Sequence, residues 1–164
     1  MKPTSRTRAR AVFASIATAI AAHALISCGA EELALKVCPA VPAAADAEPP
    51  TGWTAVEFAG SQHAAAGTYH VREKPLFTEW NLMAAKGTNS GDKAQVTVRF
   101  NEYARRQIDN FSSDAANLKK PLALNLDGRW LSFTPLLRPP GDRLTLYGFT
   151  PAEAERVEQF VASK

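Results

Sequence analysis

The 164-residue chain is poor in the side chains that most often carry chemistry, with two cysteines and three histidines. Two cysteines allow one disulfide at most, so a disulfide-rich scaffold is excluded. A nucleophilic triad needs a histidine and an acid converging on a serine or cysteine. His23 falls in the N-terminal segment, His63 reads as solvated in a polar loop, and His70 lies mid-strand between Tyr69 and Val71 in a half-buried structural or a surface role. Neither His63 nor His70 has ligand spacing to a Cys, Asp or Glu, so a zinc site has no support. The Ser90-Gly91-Asp92-Lys93 turn lacks the glycine pattern of a phosphate loop. No cofactor is implied. The apolar run from Ala11 to Ile26 is shorter than the roughly 20 residues of a comfortable membrane span. No twin-arginine pair precedes that run, and the chain has no internal repeat.

Lys2, Arg6, Arg8 and Arg10 precede that apolar run, the layout of a signal sequence. At its end, Leu25-Ile26-Ser27-Cys28 resembles the bacterial lipobox, in which a small residue precedes the cysteine that is acylated and becomes the mature N-terminus. Cys28 is therefore expected to anchor the chain to a membrane after removal of residues 1–27. An ordinary secretory cut at Ala22-His23-Ala24 is the alternative, and Cys28 could then pair with Cys38 in an oxidising compartment; an uncleaved membrane anchor is a third reading. With Cys28 acylated, Cys38 remains as a free thiol in a flexible segment or joins another chain. Gly29, in place of Asp, gives no signal for retention at the inner membrane, which favours the outer membrane in a two-membrane cell. Removing residues 1–27 leaves 15 of the 19 basic residues against 16 acidic ones. The basic character belongs to targeting, so nucleic acid is not an expected partner.

Residues 28–52 carry Pro39, Pro42, Pro49 and Pro50 among alanines and read as a flexible tether. A single domain over residues 53–164 is expected to follow. Strands are expected at 53–58 and 68–72. Thr78, with Phe77 stapling onto Leu82, reads as the cap of a helix that Gly87 would stop. Val96, Val98 and Phe100 alternate as in a strand, and Ala104, Ile108, Phe111 and Ala115 follow at helical spacing.

The densest signals run from Pro121 to Ala154. Leu122, Leu124 and Leu126 alternate with Ala123 and Asn125, and Asp127-Gly128 supplies a tight reversal. A strand follows from about Trp130, with Leu131, Phe133 and Leu137 on its inner face. Pro139-Pro140-Gly141-Asp142 breaks it, and Leu144 and Leu146 mark a third strand. Thr150-Pro151-Ala152-Glu153 then gives a full helix start, with Thr as cap, Pro at the first helical position and Glu three residues on. Ala154, Val157, Phe160 and Val161 form that helix's buried stripe.

The succession LNLDGRW, Pro135 and LTLYGFTPAEA resembles the head subdomain of the first periplasmic domain of SecD, the accessory subunit of the bacterial protein translocase. Val96-Thr97-Val98-Arg99-Phe100-Asn101, Lys120-Pro121-Leu122-Ala123, Tyr69-His70-Val71 and Leu76-Phe77-Thr78-Glu79-Trp80 extend the likeness over roughly residues 67 to 164. The segment from Asp127-Gly128 to Pro135 is about one residue longer than the family's pattern, and that from Pro135 to Gly148 is shorter. The resemblance implies the same class that the element order implies: α+β, a ferredoxin-like two-layer sandwich of mainly antiparallel sheet with helices on one face.

On that plan the open face of the sheet would present Arg99, Asn125, Trp130, Ser132 and Tyr147 as a partner-binding surface, since Trp, Tyr and Arg are enriched at binding hot spots. A linker or extra strand covering these aromatics is the competing reading. The resulting expectation is a non-catalytic, lipid-anchored envelope protein that binds a polypeptide or envelope partner, with exported polypeptide or translocase components as candidates. A small envelope hydrolase or modifying enzyme, and a structural docking module, are the alternatives.

Overall fold

The computed structural model describes residues 32–44 and 46–164; the signal segment and Cys28 lie outside the described residues. The described elements are β1 (Leu35–Pro42), β2 (Trp53–Phe58), β3 (Gly67–Arg72), β4 (Phe77–Thr78), β5 (Leu82–Ser90), β6 (Lys93–Phe100), α1 (Glu102–Ser113), β7 (Pro121–Leu126), β8 (Arg129–Pro135), β9 (Arg143–Phe149) and α2 (Pro151–Ala162). Short 3₁₀ turns occupy Glu79–Asn81 and Ala115–Asn117.

β1 corrects the expected tether. Its residues alternate, Leu35 and Val37 facing one core while Cys38 and Ala40 face another, and all four are at most 1% exposed. Burial of each large apolar side chain contributes about 1.5–3 kcal/mol, which offsets the cost of ordering a short strand among prolines. Pro39 is tolerated because β4 pairs with Lys36 and Val37, β3 pairs with Ala40 to Pro42, and the intervening positions have no partner on that side. The folded domain therefore begins before residue 53.

A second correction concerns the helix expected after Thr78. The cap does form, with the Thr78 N–H donating to Asn81 Oδ1 at 3.0 Å, but it closes only one 3₁₀ turn. In the following nine residues only Leu82 is buried, so no helical stripe is available to pack. The segment instead pairs as β5 with β6.

The α+β class and the antiparallel pairing hold, and the strands divide between two sheets. One has the order β2-β3-β1-β7-β8 with β4 added beside β1; the other has the order β5-β6-β9. The main core lies between them. Leu35, Val37, Leu122, Leu124 and Leu126 of the larger sheet meet Val96, Val98 and Leu146 of the smaller, with Ala104 and Ile108 of α1 and Ala154 and Val157 of α2. The expected cap of α2 is present: Thr150 Oγ1 accepts from the Glu153 N–H at 3.3 Å, and Glu153 returns the bond to the Thr150 N–H at 2.8 Å.

The larger sheet is strongly curled. β2 and β8 are four strand spacings apart, which in a flat sheet would be about 19 Å, yet the rings of Phe58 and Phe133 have centroids 4.6 Å apart. Tyr69 joins them at 4.3 Å from Phe133. These rings, with Cys38, Ala40, Val56, Val71 and Ala123, form a second core on the opposite face of β1 and β7. β7 is thus buried on both faces, where the sequence pattern implied one.

β8 carries a bulge. Asn125 pairs with Trp130 and Leu124 with Ser132, so Leu131 is the extra residue. The bulge turns Leu131 toward the main core and Phe133 toward the second. At the bulge the two sheets touch: a Cβ on Gly148, whose φ is +96°, would lie 2.5 Å from the Leu131 carbonyl oxygen. Gly148→Ala is expected to cost about 2 kcal/mol or more and to lower the melting temperature by several degrees. Gly91→Ala, at φ +64° with open space around it, is expected to cost only about 1–2 kcal/mol, and thermal denaturation of the two variants checks the difference.

Candidate functional site

The five residues expected on one sheet face are distributed over two sheets. Asn125 and Ser132 are buried, at 4% and 2% exposure. Asn125 Oδ1 accepts from the Gly128 N–H at 3.1 Å and so braces the Asp127-Gly128 reversal, where both residues have positive φ. Trp130 packs at the rim of the second core, 6.0 Å from Phe133, with the Lys36 ammonium 5.5 Å from its ring centroid. Arg99 and Tyr147 lie on the smaller sheet, Arg99 exposed and Tyr147 half-buried. The bulge at Leu131 and the curl of the larger sheet are the reasons: one separates Trp130 from the expected alternation, and the other buries the face that was expected to be open. Leu137, expected on an inner face, is 73% exposed beyond the end of β8.

Tyr147 instead marks a groove. Its ring lies 4.3 Å from that of His63, which the loop between β2 and β3 carries across to β9. On one side of this pair is a recess of about 580 Å³, lined by residues of the same loop, the β5–β6 turn and Gly148 to Thr150. On the other is a groove of about 820 Å³ between Thr134 to Leu137 and Arg143 to Tyr147, with Pro139 and Pro140 also in its lining.

The strand order explains the larger groove. Among the described residues β8 ends one sheet and β9 ends the other, so both present an edge without a strand partner. The edges meet at Gly148 and Leu131 and separate further along, where Thr134, Pro135 and Leu136 face Leu144, Thr145 and Leu146 across a small apolar cavity of about 30 Å³. Unpaired edges offer backbone donors and acceptors to an extended chain, and the apolar floor offers a place for its side chains.

The smaller recess gathers Ser61, His63, Ser90 and Asp92, the residue types a hydrolase would use. Their bonding is different from a relay. The His63 ring nitrogen lies 2.9 Å from Gln62 Nε2, and Ser61 Oγ accepts from the His63 backbone N–H at 3.2 Å. Among the described residues no hydrogen bond joins the His63 imidazole to a carboxylate or hydroxyl, and no group of three or more His, Cys, Asp and Glu is placed to hold a metal. His70 is buried, its ring nitrogen 3.1 Å from the Ala47 carbonyl oxygen, in a structural setting.

No protein-family model and no curated protein matches the chain. Solved structures do. A crystal structure of SecDF in a super-membrane-facing form aligns with 79% of this chain at a TM-score of 0.50 and 16% identity. The chain has a SecD-like fold. A second SecDF structure, described as a membrane component that enhances protein export, aligns with 55% of the chain at 23% identity and a TM-score of 0.43. This chain matches 18% and 41% of the lengths of the two SecDF chains, so the likeness to SecDF concerns a part of those proteins. Among the described residues no helix is long and apolar enough to cross a membrane.

Cys38 is a free thiol, and its place corrects the flexible segment expected for it. It lies inside β1, and burial pushes its pKa up to about 11, partly countered by Lys36. At pH 8 that leaves about one thiol in a thousand as the reactive thiolate. Native protein is expected to resist a thiol-specific disulfide reagent and to react at Cys38 once denaturant unfolds β1; rapid native labelling of Cys38 would contradict its burial.

Proposed function

We propose that this chain is a non-catalytic, lipid-anchored cell-envelope protein whose SecD-like domain binds extended polypeptide in the groove between β8 and β9, in connection with protein export. The observation that supports the reading is the pair of unpartnered sheet edges flanking a groove of about 820 Å³. A passing segment could add to an edge through its backbone, largely irrespective of sequence, while Tyr147, Leu144 and Leu137 take apolar side chains. Little charge lines the groove, Arg138 and Arg143 being its charged residues.

The likeness to SecDF agrees with a place outside the cytoplasm and with translocase components or exported chains as partners. Acylation of Cys28 would hold the domain at the membrane, with the outer membrane favoured by Gly29. Binding is passive on this reading. The hydrolase alternative would need His63 to meet an acid and a nucleophile, and its ring contacts are with Gln62 and Tyr147.

The test is photo-crosslinking in intact cells with the full chain. A photoreactive residue in place of Leu137, in the groove, is expected to capture polypeptides in transit, whereas one in place of the exposed Lys74 is not. Tyr147→Ala should weaken capture by about tenfold without loss of fold. Equal capture at both positions, or none at Leu137, would remove the groove as a polypeptide site.

A further inference from the structure

Four large apolar side chains stand exposed among the described residues: Trp80, Met83, Tyr103 and Leu137, at 70%, 59%, 56% and 73%. Leu137 belongs to the groove. The other three gather around one junction, where the Asn101 N–H donates to the Asn81 carbonyl oxygen at 2.9 Å. Trp80 sits in the 3₁₀ turn, Met83 is the extra residue of a bulge between Leu82 and Ala84, and Tyr103 lies in the first turn of α1. The end of α2 completes the face. Phe160 meets Trp80 edge-on at 5.6 Å, and the Lys164 ammonium lies 5.3 Å from the Trp80 centroid and 4.7 Å from that of Phe160.

The same end of the molecule receives the chain from Cys28. The Glu32 carbonyl oxygen accepts from Arg156 Nη2 at 3.4 Å, and the Leu35 N–H donates to Glu79 Oε2 at 2.9 Å, one residue before Trp80. Phe160 is one turn, about 6 Å, beyond Arg156 along α2. Glu32 is four residues after Cys28, a reach of at most about 14 Å when fully extended. With the expected tether built into the domain as β1, an anchored Cys28 leaves this end little freedom to turn from the bilayer.

We infer that the face formed by Trp80, Met83 and the end of α2 rests on the lipid surface, with the Trp80 ring at headgroup depth and Lys164, whose ammonium donates to the Glu79 carbonyl oxygen, at the level of the phosphates. This rests on the anchoring of Cys28 proposed above. Tryptophan favours the bilayer interface, and a lysine beside it can keep its charge in the headgroup layer while its stem covers apolar surface. The geometry selects lipid over a protein occupant because the anchor brings the bilayer to this face in every molecule.

The test uses the full chain purified from membranes and reconstituted in phosphatidylethanolamine–phosphatidylglycerol vesicles whose acyl chains carry bromine near the headgroup. Bromine quenches nearby tryptophan, and the chain has three, Trp53, Trp80 and Trp130. Quenching of a fraction of the emission is expected, abolished by Trp80→Phe and reduced by Met83→Asp, with melting temperatures unchanged. Intact mass establishes the state of Cys28 in the same sample. An acylated chain with no quenching, or with quenching that survives Trp80→Phe, overturns the docking while leaving the anchor. An unmodified Cys28 overturns the anchor and the docking with it. A photoreactive group at Met83 that captures a protein in cells and no lipid would also overturn the inference.

Discussion

The pairing of β1 with β7 on one side and with β3 and β4 on the other is the constraint on which the fold depends. Without it the larger sheet falls into two separate hairpin-like pieces, β2–β3 and β7–β8. With it, Val37 is placed in the main core and Cys38 in the second, and the sheet can curl until Phe58 reaches Phe133. The buried Glu79 carboxylate reinforces the seam by accepting the Leu35 N–H. Asp127 does the same at the same end of β1, from the β7 side: its Oδ1 accepts from the Ala34 N–H at 3.1 Å, and its own N–H donates to the Ala34 carbonyl oxygen at 2.8 Å.

The curl has a consequence for function. A sheet that spends both faces of β1 and β7 on cores has no broad open face left for a partner. What it leaves exposed is its edge, β8, set beside the edge of the smaller sheet, β9. Gly148 permits those edges to touch at the Leu131 bulge, and the absence of further pairing opens the groove beyond. The residues near this contact thus fix both the angle between the sheets and the width of the candidate site.

Much of the fold was legible in the sequence where local chemistry and tertiary packing agree. The β7–β8 reversal at Asp127-Gly128, the capped α2 and the alternating Val96, Val98 and Phe100 all stand as read. Two elements were hidden because tertiary partners override local signals. Leu35–Pro42 looks like linker until β7 supplies its ladder, and the Thr78 cap promises a helix that β6 captures as a strand. Of the site, Tyr147 was legible as an aromatic on a half-buried strand. His63 was not, because its meeting with Tyr147 depends on a loop crossing from the other sheet. The expected face of Asn125 and Ser132 is not open, because the curl of the sheet buries Asn125 and one bulged residue reverses the β8 alternation from which Ser132 was read.

Backbone amide exchange checks that the unpartnered edges of β8 and β9 receive extended polypeptide. The full chain would be compared alone and with a reduced, alkylated and therefore unfolded polypeptide. Slowed exchange confined to Arg143–Phe149 and Arg129–Pro135, with β1 and α2 unchanged, is the predicted result. Unchanged exchange along both strands at saturating polypeptide, or protection only elsewhere, would contradict it.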